Sequence, residues 1–220
     1  MNNNDGIAIV EEQYDEEGRF LQKLYRNEHG IIVEDAYGDC MTFYEYDDSN
    51  NITRCYSADS RGNLRMNNYG YACLEITKDD NGNIVKEAYY DCDGNICMNS
   101  AKGFAIELDE YDGQNRLTYS RIEDENGNAI ELNDGSYGKR YAYDNGVTIQ
   151  YHLDAMGDVA PCDYGYAIRK YSFNSKGQLA KDMYYDKNGN IYVGELGVSG
   201  TLYDYKTDNN GRRIVLMTNL

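Results

Sequence analysis

Residues 71–98 read YACLEITKDDNGNIVKEAYYDCDGNICM, and the rest of the chain repeats this arrangement with variations. Apolar residues alternate with other residues over 72–76, which is the period of two of a half-buried strand. Two runs of Asp, Asn and Gly, at 79–83 and 91–95, interrupt the alternation, and a short extended piece follows at 96–98. Asx side chains and glycine form tight reversals of the backbone. The stretch therefore predicts an antiparallel meander of two long strands and one short strand.

The same pattern recurs about seven times along the 220 residues, at intervals near 32 residues. A period of this length indicates tandem structural repeats, each of which buries its apolar side against its neighbours. The landmark glycines are Gly6, Gly38, Gly70, Gly103, Gly138, Gly165 and Gly197. We therefore predict one β-repeat domain over 1–220, with repeats near 6–37, 38–69, 70–102, 103–137, 138–164, 165–196 and 197–220.

The predicted repeats can be joined in two ways within an all-β fold. In the first, seven three-strand repeats lie side by side in an open, curved or spiralling β-sheet. In the second, they close into a seven-bladed β-propeller, whose blades usually take four strands and more residues than these repeats contain. Uneven repeat lengths also favour an array that does not have to close. We therefore expect the open sheet, with the propeller as the alternative.

Short strings that begin with Tyr-Asp mark several of the turns. They include Tyr14-Asp15-Glu16-Glu17-Gly18-Arg19, Tyr90-Asp91-Cys92-Asp93-Gly94-Asn95 and Tyr185-Asp186-Lys187-Asn188-Gly189-Asn190. These strings resemble the YD-type repeats of the RHS family. The resemblance implies β-hairpins strung into long spiralling sheets, often in bacterial surface and toxin-delivery proteins.

Composition limits the classes of partner. The net charge of −17 argues against direct binding to nucleic acid or to anionic membranes, because both require a cationic surface. It is compatible with a protein partner that carries a Lys/Arg-rich surface. The start of the sequence lacks a signal-peptide pattern, so we expect a cytoplasmic protein of a bacterium or of an infected cell, or an extracellular one if a leader has been removed.

No residue pattern predicts a catalytic or cofactor site. The chain has two histidines, His29 and His152, and neither belongs to a recognisable nucleophile motif. The Asp-rich turns lack the remaining oxygen ligands that Ca²⁺ needs, and turn formation accounts for the same residues. The six cysteines follow no framework, so reduced thiols are expected rather than disulfides or a zinc site. We therefore predict a non-enzymatic protein with no cofactor and no metal.

Stacking of the repeats should place acidic turns along two opposite edges of the sheet, beside a surface rich in the chain's 24 tyrosines. Tyrosine gives a large contact area with little loss of side-chain entropy. The candidate binding residues are Asp47, Asp48, Asp79, Asp80, Asp91, Asp93, Asp124, Tyr71, Tyr89 and Tyr184. The leading hypothesis is a binding protein for a basic protein partner. The alternatives are an acidic nucleic-acid mimic that inhibits a DNA- or RNA-binding enzyme, as a phage anti-defence protein would, and a carbohydrate-binding or cell-surface repeat module.

Overall fold

The computed structural model describes residues 6–207 and 213–220, and within these ranges the regular structure consists of antiparallel β-strands. Fourteen strands form one sheet whose order follows the chain from β1 to β14. The strands are β1 (Ile9–Tyr14), β2 (Phe20–Arg26), β3 (Met41–Asp47), β4 (Ile52–Ala58), β5 (Cys73–Lys78), β6 (Ile84–Tyr90), β7 (Ile106–Tyr111), β8 (Leu117–Glu123), β9 (Gly138–Asp144), β10 (Val147–Leu153), β11 (Ile168–Phe173), β12 (Leu179–Tyr185), β13 (Gly200–Thr207) and β14 (Arg213–Asn219).

The predicted open sheet is confirmed, and the propeller alternative is wrong because the strands belong to one sheet and not to separate blades. Each repeat contributes two strands and not three. The predicted third strand forms a single-residue bridge to the end of the preceding strand, as Ile96 does to Tyr90 and Ile191 to Tyr185. The extended piece is too short to form more than one pair before the next turn begins.

Contacts between residues divide the chain into two compact units. The first comprises Met1–Tyr111 and Ile122–Asn128, and the second comprises Asp112–Arg121 and Ala129–Leu220. In the first unit, hairpin turns at 15–19, 47–51 and 79–83 join strands at one edge of the sheet, which we call the hairpin edge. The longer connections between hairpins lie at the opposite ends of the strands, which we call the linker edge.

The core is thin because each linker folds back over the strands that it joins. In the first unit, Ala88, Ala105 and Ile106 form a buried cluster, and Ile96 and Met98 of the linker pack against it. Five alanines are fully buried, at positions 58, 72, 88, 105 and 167. Every second strand residue therefore faces the linkers, and the linkers cover these residues.

Successive linkers are joined by backbone hydrogen bonds. In the first unit the amide of Asn68 donates to the carbonyl oxygen of Tyr37 at 2.8 Å, and the amide of Ser100 donates to that of Tyr69 at 2.8 Å. In the second unit the amide of Asp163 donates to Asp134 in the same way. The linker turns thus form a second ladder beside the one made by the strands.

The fifth repeat differs from its expected boundaries. Its linker turn closes at Gly135, which has a φ of 76°, whereas Gly138 opens β9. The repeat is short because only Asn145 and Gly146 connect β9 to β10, and both have positive φ (47° and 80°). A two-residue turn of this kind matches the right-handed twist of a hairpin.

Several tyrosines have a structural role in the hairpins. The hydroxyl of Tyr46 donates to the carbonyl oxygen of Phe20 at 2.7 Å, and Tyr143 donates to Leu117 at 2.7 Å. Each bond ties a hairpin to the start of the previous strand. Part of the high tyrosine content therefore maintains the fold.

Candidate functional site

The acidic turns hold their carboxylates in a fixed arrangement. Oδ1 of Asp79 accepts the amides of Asn81 and Asn83 at 2.9 Å each, and Oδ2 accepts the side-chain amide of Asn83 at 2.9 Å. The side-chain hydrogen bond from Asn83 is the main reason why the pKa of Asp79 lies below its ordinary value. Asp91 and Asp124 make the corresponding bonds and have lowered pKa values as well. These carboxylates are turn-forming groups that remain ionised.

A second acidic residue in three of these turns faces the solvent. The carboxylate of Asp48 is 76% exposed and accepts a hydrogen bond of 2.7 Å from Nη1 of Arg19, which lies on the neighbouring hairpin. Asp80 is exposed and accepts a long bond of 3.4 Å from Asn51. Asp93 is also exposed, and its amide donates to Asp91. Their negative charge is therefore accessible to a partner.

Four of the candidate residues, Asp47, Asp48, Asp79 and Asp80, border one shallow depression of about 250 Å³ on the hairpin edge. Lys78 also lines this depression. Hydrogen bonds from the side chains of Asn50 and Ser49 lower the pKa of Asp47. The first unit thus presents four carboxylates at this point, beside Lys78 and the Arg19 guanidinium that pairs with Asp48.

Asp91 and Asp93 lie on the linker edge and border a different depression of about 400 Å³ that also includes Arg54. Asp124 begins the linker turn that follows β8. The candidate acids therefore form separate groups on the two edges. Within the described ranges, no cluster of three or more His, Cys, Asp or Glu residues is arranged to hold a metal ion.

The three candidate tyrosines have different surroundings. Tyr89 is only 1% exposed, and its hydroxyl donates to the carboxylate of Glu87, so it is a core residue that a partner cannot contact. Tyr71 is half-buried and packs on Tyr89 with ring centroids 4.8 Å apart. Tyr184 alone lines an open pocket, in the second unit.

That pocket, which we call the tyrosine pocket, has a volume of about 900 Å³. Four tyrosines line it: Tyr164, Tyr166, Tyr184 and Tyr192. The rings of Tyr166 and Tyr184 stack with centroids 4.6 Å apart, and Tyr164 lies nearly parallel to Tyr166 at 6.2 Å. The ring of Tyr164 is well exposed. The volume and the mixture of aromatic and polar walls suit a small ligand or a side chain.

An ion pair forms part of the pocket wall. Nε and Nη2 of Arg169 donate to the two carboxylate oxygens of Asp182 at 2.8 and 2.7 Å, and the hydroxyl of Tyr184 donates to Asp182 at 3.3 Å. The carboxylate of Asp182 is almost fully buried, so the guanidinium is its main compensation. The pair adds no net charge to the pocket.

The two histidines have different surroundings. His152 lies buried on β10, and burial is the main reason why its pKa is lowered to about 4. Its Nδ1 is 3.5 Å from Asp134, which already accepts Ser136 Oγ at 2.6 Å and Lys139 Nζ at 2.8 Å. The hydroxyl of Ser136 therefore donates to Asp134 and not to His152. His29 is an exposed turn residue.

The six cysteines, all within the described ranges, are free thiols. Burial raises the pKa of Cys73 to about 12 and that of Cys97 to about 11. The thiolate is the reactive form of cysteine, so both side chains are poor nucleophiles.

No protein-family model and no curated protein matches this chain. Within the described part of the chain, no helix has the length and apolar character needed to cross a bilayer.

Sequence reasoning identified Tyr184 but missed the other walls of its pocket. Tyr164 and Tyr166 belong to a linker turn, and Tyr192 belongs to the next linker. The signal for Tyr164 and Tyr166 in the sequence is the aromatic residue on each side of the landmark Gly165, whereas Tyr192 is not next to a glycine. Arg169 and Asp182 gave no signal, because their contact depends on the register of β11 and β12.

Proposed function

We propose that this protein is a non-catalytic binding protein that engages a Lys/Arg-rich protein through the hairpin edge of its first unit. The observation that carries the proposal is the group of four carboxylates, Asp47, Asp48, Asp79 and Asp80, around one depression. The cations beside them are Lys78, which lines the depression, and Arg19, which pairs with Asp48, so negative charge remains in excess. Such a surface attracts a cationic partner and accelerates encounter.

The turn geometry supports the proposal because it fixes the charges before a partner arrives. The carboxylates of Asp47 and Asp79 are held by hydrogen bonds within their own turns. Asp48 and Asp80 extend from the same turns into solvent. A preorganised surface loses less side-chain entropy on binding than a flexible one.

The test uses a fluorescein-labelled peptide of alternating Arg and Gly, followed by fluorescence anisotropy. The variant Asp48→Asn with Asp80→Asn removes two charges from the hairpin edge. The matched variant Glu28→Gln with Asp93→Asn removes two charges from exposed positions of the linker edge. Only the first should weaken binding, by about tenfold at low salt, and added salt should weaken wild-type binding. Equal weakening by both variants would mean that net charge alone attracts the peptide, and the proposal would be rejected.

An acidic nucleic-acid mimic would use the same carboxylates against a different class of partner. Once a natural partner is captured, competition by duplex DNA separates the two functions. A partner displaced by DNA would indicate a nucleic-acid-binding enzyme, whereas an indifferent partner would support a protein-specific interface.

A further inference from the structure

The first unit contains a cation held by aromatic rings and a carboxylate. The ammonium group of Lys102 lies 5.8 Å from the ring centroid of Tyr89 and 5.4 Å from that of Phe104. It also bonds to the carboxylate of Glu87. An ammonium over aromatic faces is stabilised by the ring quadrupoles. A linker of this fold can therefore hold a cationic group against the aromatic rings of a neighbouring strand.

The second unit has a related arrangement with a different residue before the linker glycine. Its linker turn is one residue shorter, because the amide of Gly197 donates to Gly194, whereas that of Gly103 donates to Asn99. Tyr184 is the penultimate residue of β12, as Tyr89 is of β6. Leu196 directly precedes a linker glycine, as Lys102 does, and its side chain is 93% exposed. Leu196 supplies no cation, and the tyrosine pocket opens beside Tyr184.

The charges around the tyrosine pocket favour a cation. Asp163 and Glu195 line it, whereas the charge of Arg169 is balanced by Asp182. Two carboxylates remain without a counterion among the charged residues that line the pocket. The tyrosine rings, of which that of Tyr164 is the most exposed, and the two carboxylates match the requirements of a cationic group, whereas a neutral ligand would leave the carboxylates unused.

We propose that the tyrosine pocket binds a cationic side chain, arginine or lysine, of the basic protein partner. This inference rests on the proposed function and adds a second contact to it. The flat guanidinium of arginine stacks on tyrosine faces while its N–H groups donate to Asp163 and Glu195.

The direct test is a titration with Nα-acetyl-arginine amide, followed by NMR of protein with ¹³C-labelled tyrosines. The signals of the pocket tyrosines should shift and saturate. Tyr164→Ala and Glu195→Gln should each weaken binding by about threefold to fivefold, as expected for a partly exposed cation–π or ionic contact. Both side chains are exposed, so the fold should survive. Tyr37→Ala is the matched control, because Tyr37 is exposed and also directly precedes a linker glycine, in the first unit.

A neutral analogue decides whether charge matters. Nα-acetyl-citrulline amide has nearly the shape of the arginine probe and no charge. Equal binding of the two amides, or saturable binding of methyl glucoside in place of the arginine probe, would overturn the proposal. Failure of the arginine probe to shift the pocket tyrosines at all would also overturn it.

The labelled Arg-Gly peptide separates failure of this inference from failure of the proposed function. Loss of peptide binding in the Asp48→Asn, Asp80→Asn variant but not in Tyr164→Ala would retain the hairpin edge and reject the pocket. Loss in Tyr164→Ala alone would retain the pocket and reject the hairpin edge.

Discussion

The hydroxyl of Tyr192 occupies the space that a side chain at Gly165 would need. Gly165 also has a φ of 87°, a backbone conformation that side chains disfavour. Two independent requirements therefore fix glycine at this position, and the close approach of Tyr192 also places a wall of the tyrosine pocket.

Gly165→Ala should destabilise the protein more than backbone strain alone accounts for. An L-residue in this region costs about 1–2 kcal/mol, and the contact with Tyr192 adds to that cost. Gly189→Ala is the control, since Gly189 has a φ of 85° and no atom near its missing side chain. Urea denaturation should show the larger loss for Gly165→Ala. Equal losses would contradict the steric role of Tyr192.

Arg169→Leu should lower the free energy of unfolding by about 2–3 kcal/mol, because it leaves the buried carboxylate of Asp182 without its cation. Adding Asp182→Asn should recover part of the loss by removing the orphaned charge. The exposed pair of Arg65 and Glu34 provides the comparison, and Glu34→Gln should cost less than about 1 kcal/mol. A double variant no more stable than Arg169→Leu would argue against the charge as the cause.

His152 should make the protein less stable in acid. Its pKa is about 4 in the folded protein against an ordinary 6.5, so the unfolded chain binds the extra proton between these values. Stability should therefore fall as the pH drops from 6.5 towards 4, by at most about 1.4 kcal/mol per pH unit. His152→Gln should remove this component of the slope in urea titrations across the window. An unchanged slope would show that the imidazole is accessible to protons in the folded state.

Asp39 should act in the opposite direction. Burial raises its pKa to about 6, and its Oδ1 has no hydrogen-bond partner. The folded protein then binds more protons than the unfolded chain between pH 3.8 and 6, so this carboxyl loses stability as the pH rises through that window. Asp39→Asn should stabilise the protein at neutral pH by about 1–2 kcal/mol. A destabilised variant would instead show that the ionised carboxylate has a compensating partner.

The turn role of Asp79 predicts a graded response to substitution. Asp79→Ala should destabilise the protein because it removes the acceptor of three hydrogen bonds. Asp79→Asn should be nearly neutral, since Asn27 and Asn174 accept the same backbone bonds in other turns. Asp80→Ala should have little effect on thermal unfolding. Stabilisation of the wild type by added Ca²⁺ that is lost in Asp79→Asn would contradict a purely structural turn.

The strands and hairpin turns could be predicted because their causes are local. Alternation over 72–76 and the Asx-Gly turns require only neighbouring residues, and the structure has strands and turns there. The third strand failed for a geometric reason, since only Ile96 reaches the pairing register. Gly138 was chosen over Gly135 because a sequence does not show which glycine adopts positive φ.

The candidate site was less predictable because its parts meet through the fold. The acids of the hairpin edge follow from turn spacing, so Asp48 and Asp80 could be identified from the sequence. The burial of Tyr89 could not, because it depends on a linker that crosses β6. Tyr164 and Tyr184 are distant in sequence and share a pocket only after the linker packs on β12.

The bonds from Asn68 to Tyr37 and from Ser100 to Tyr69 show that a linker can accept a hydrogen bond from the following linker and donate one to the preceding linker. A gene that gained or lost one whole repeat by unequal recombination would therefore encode a chain whose junctions still match. Lineages could lengthen or trim this protein stepwise, and the exposed tip residues could diversify while the scaffold stayed intact.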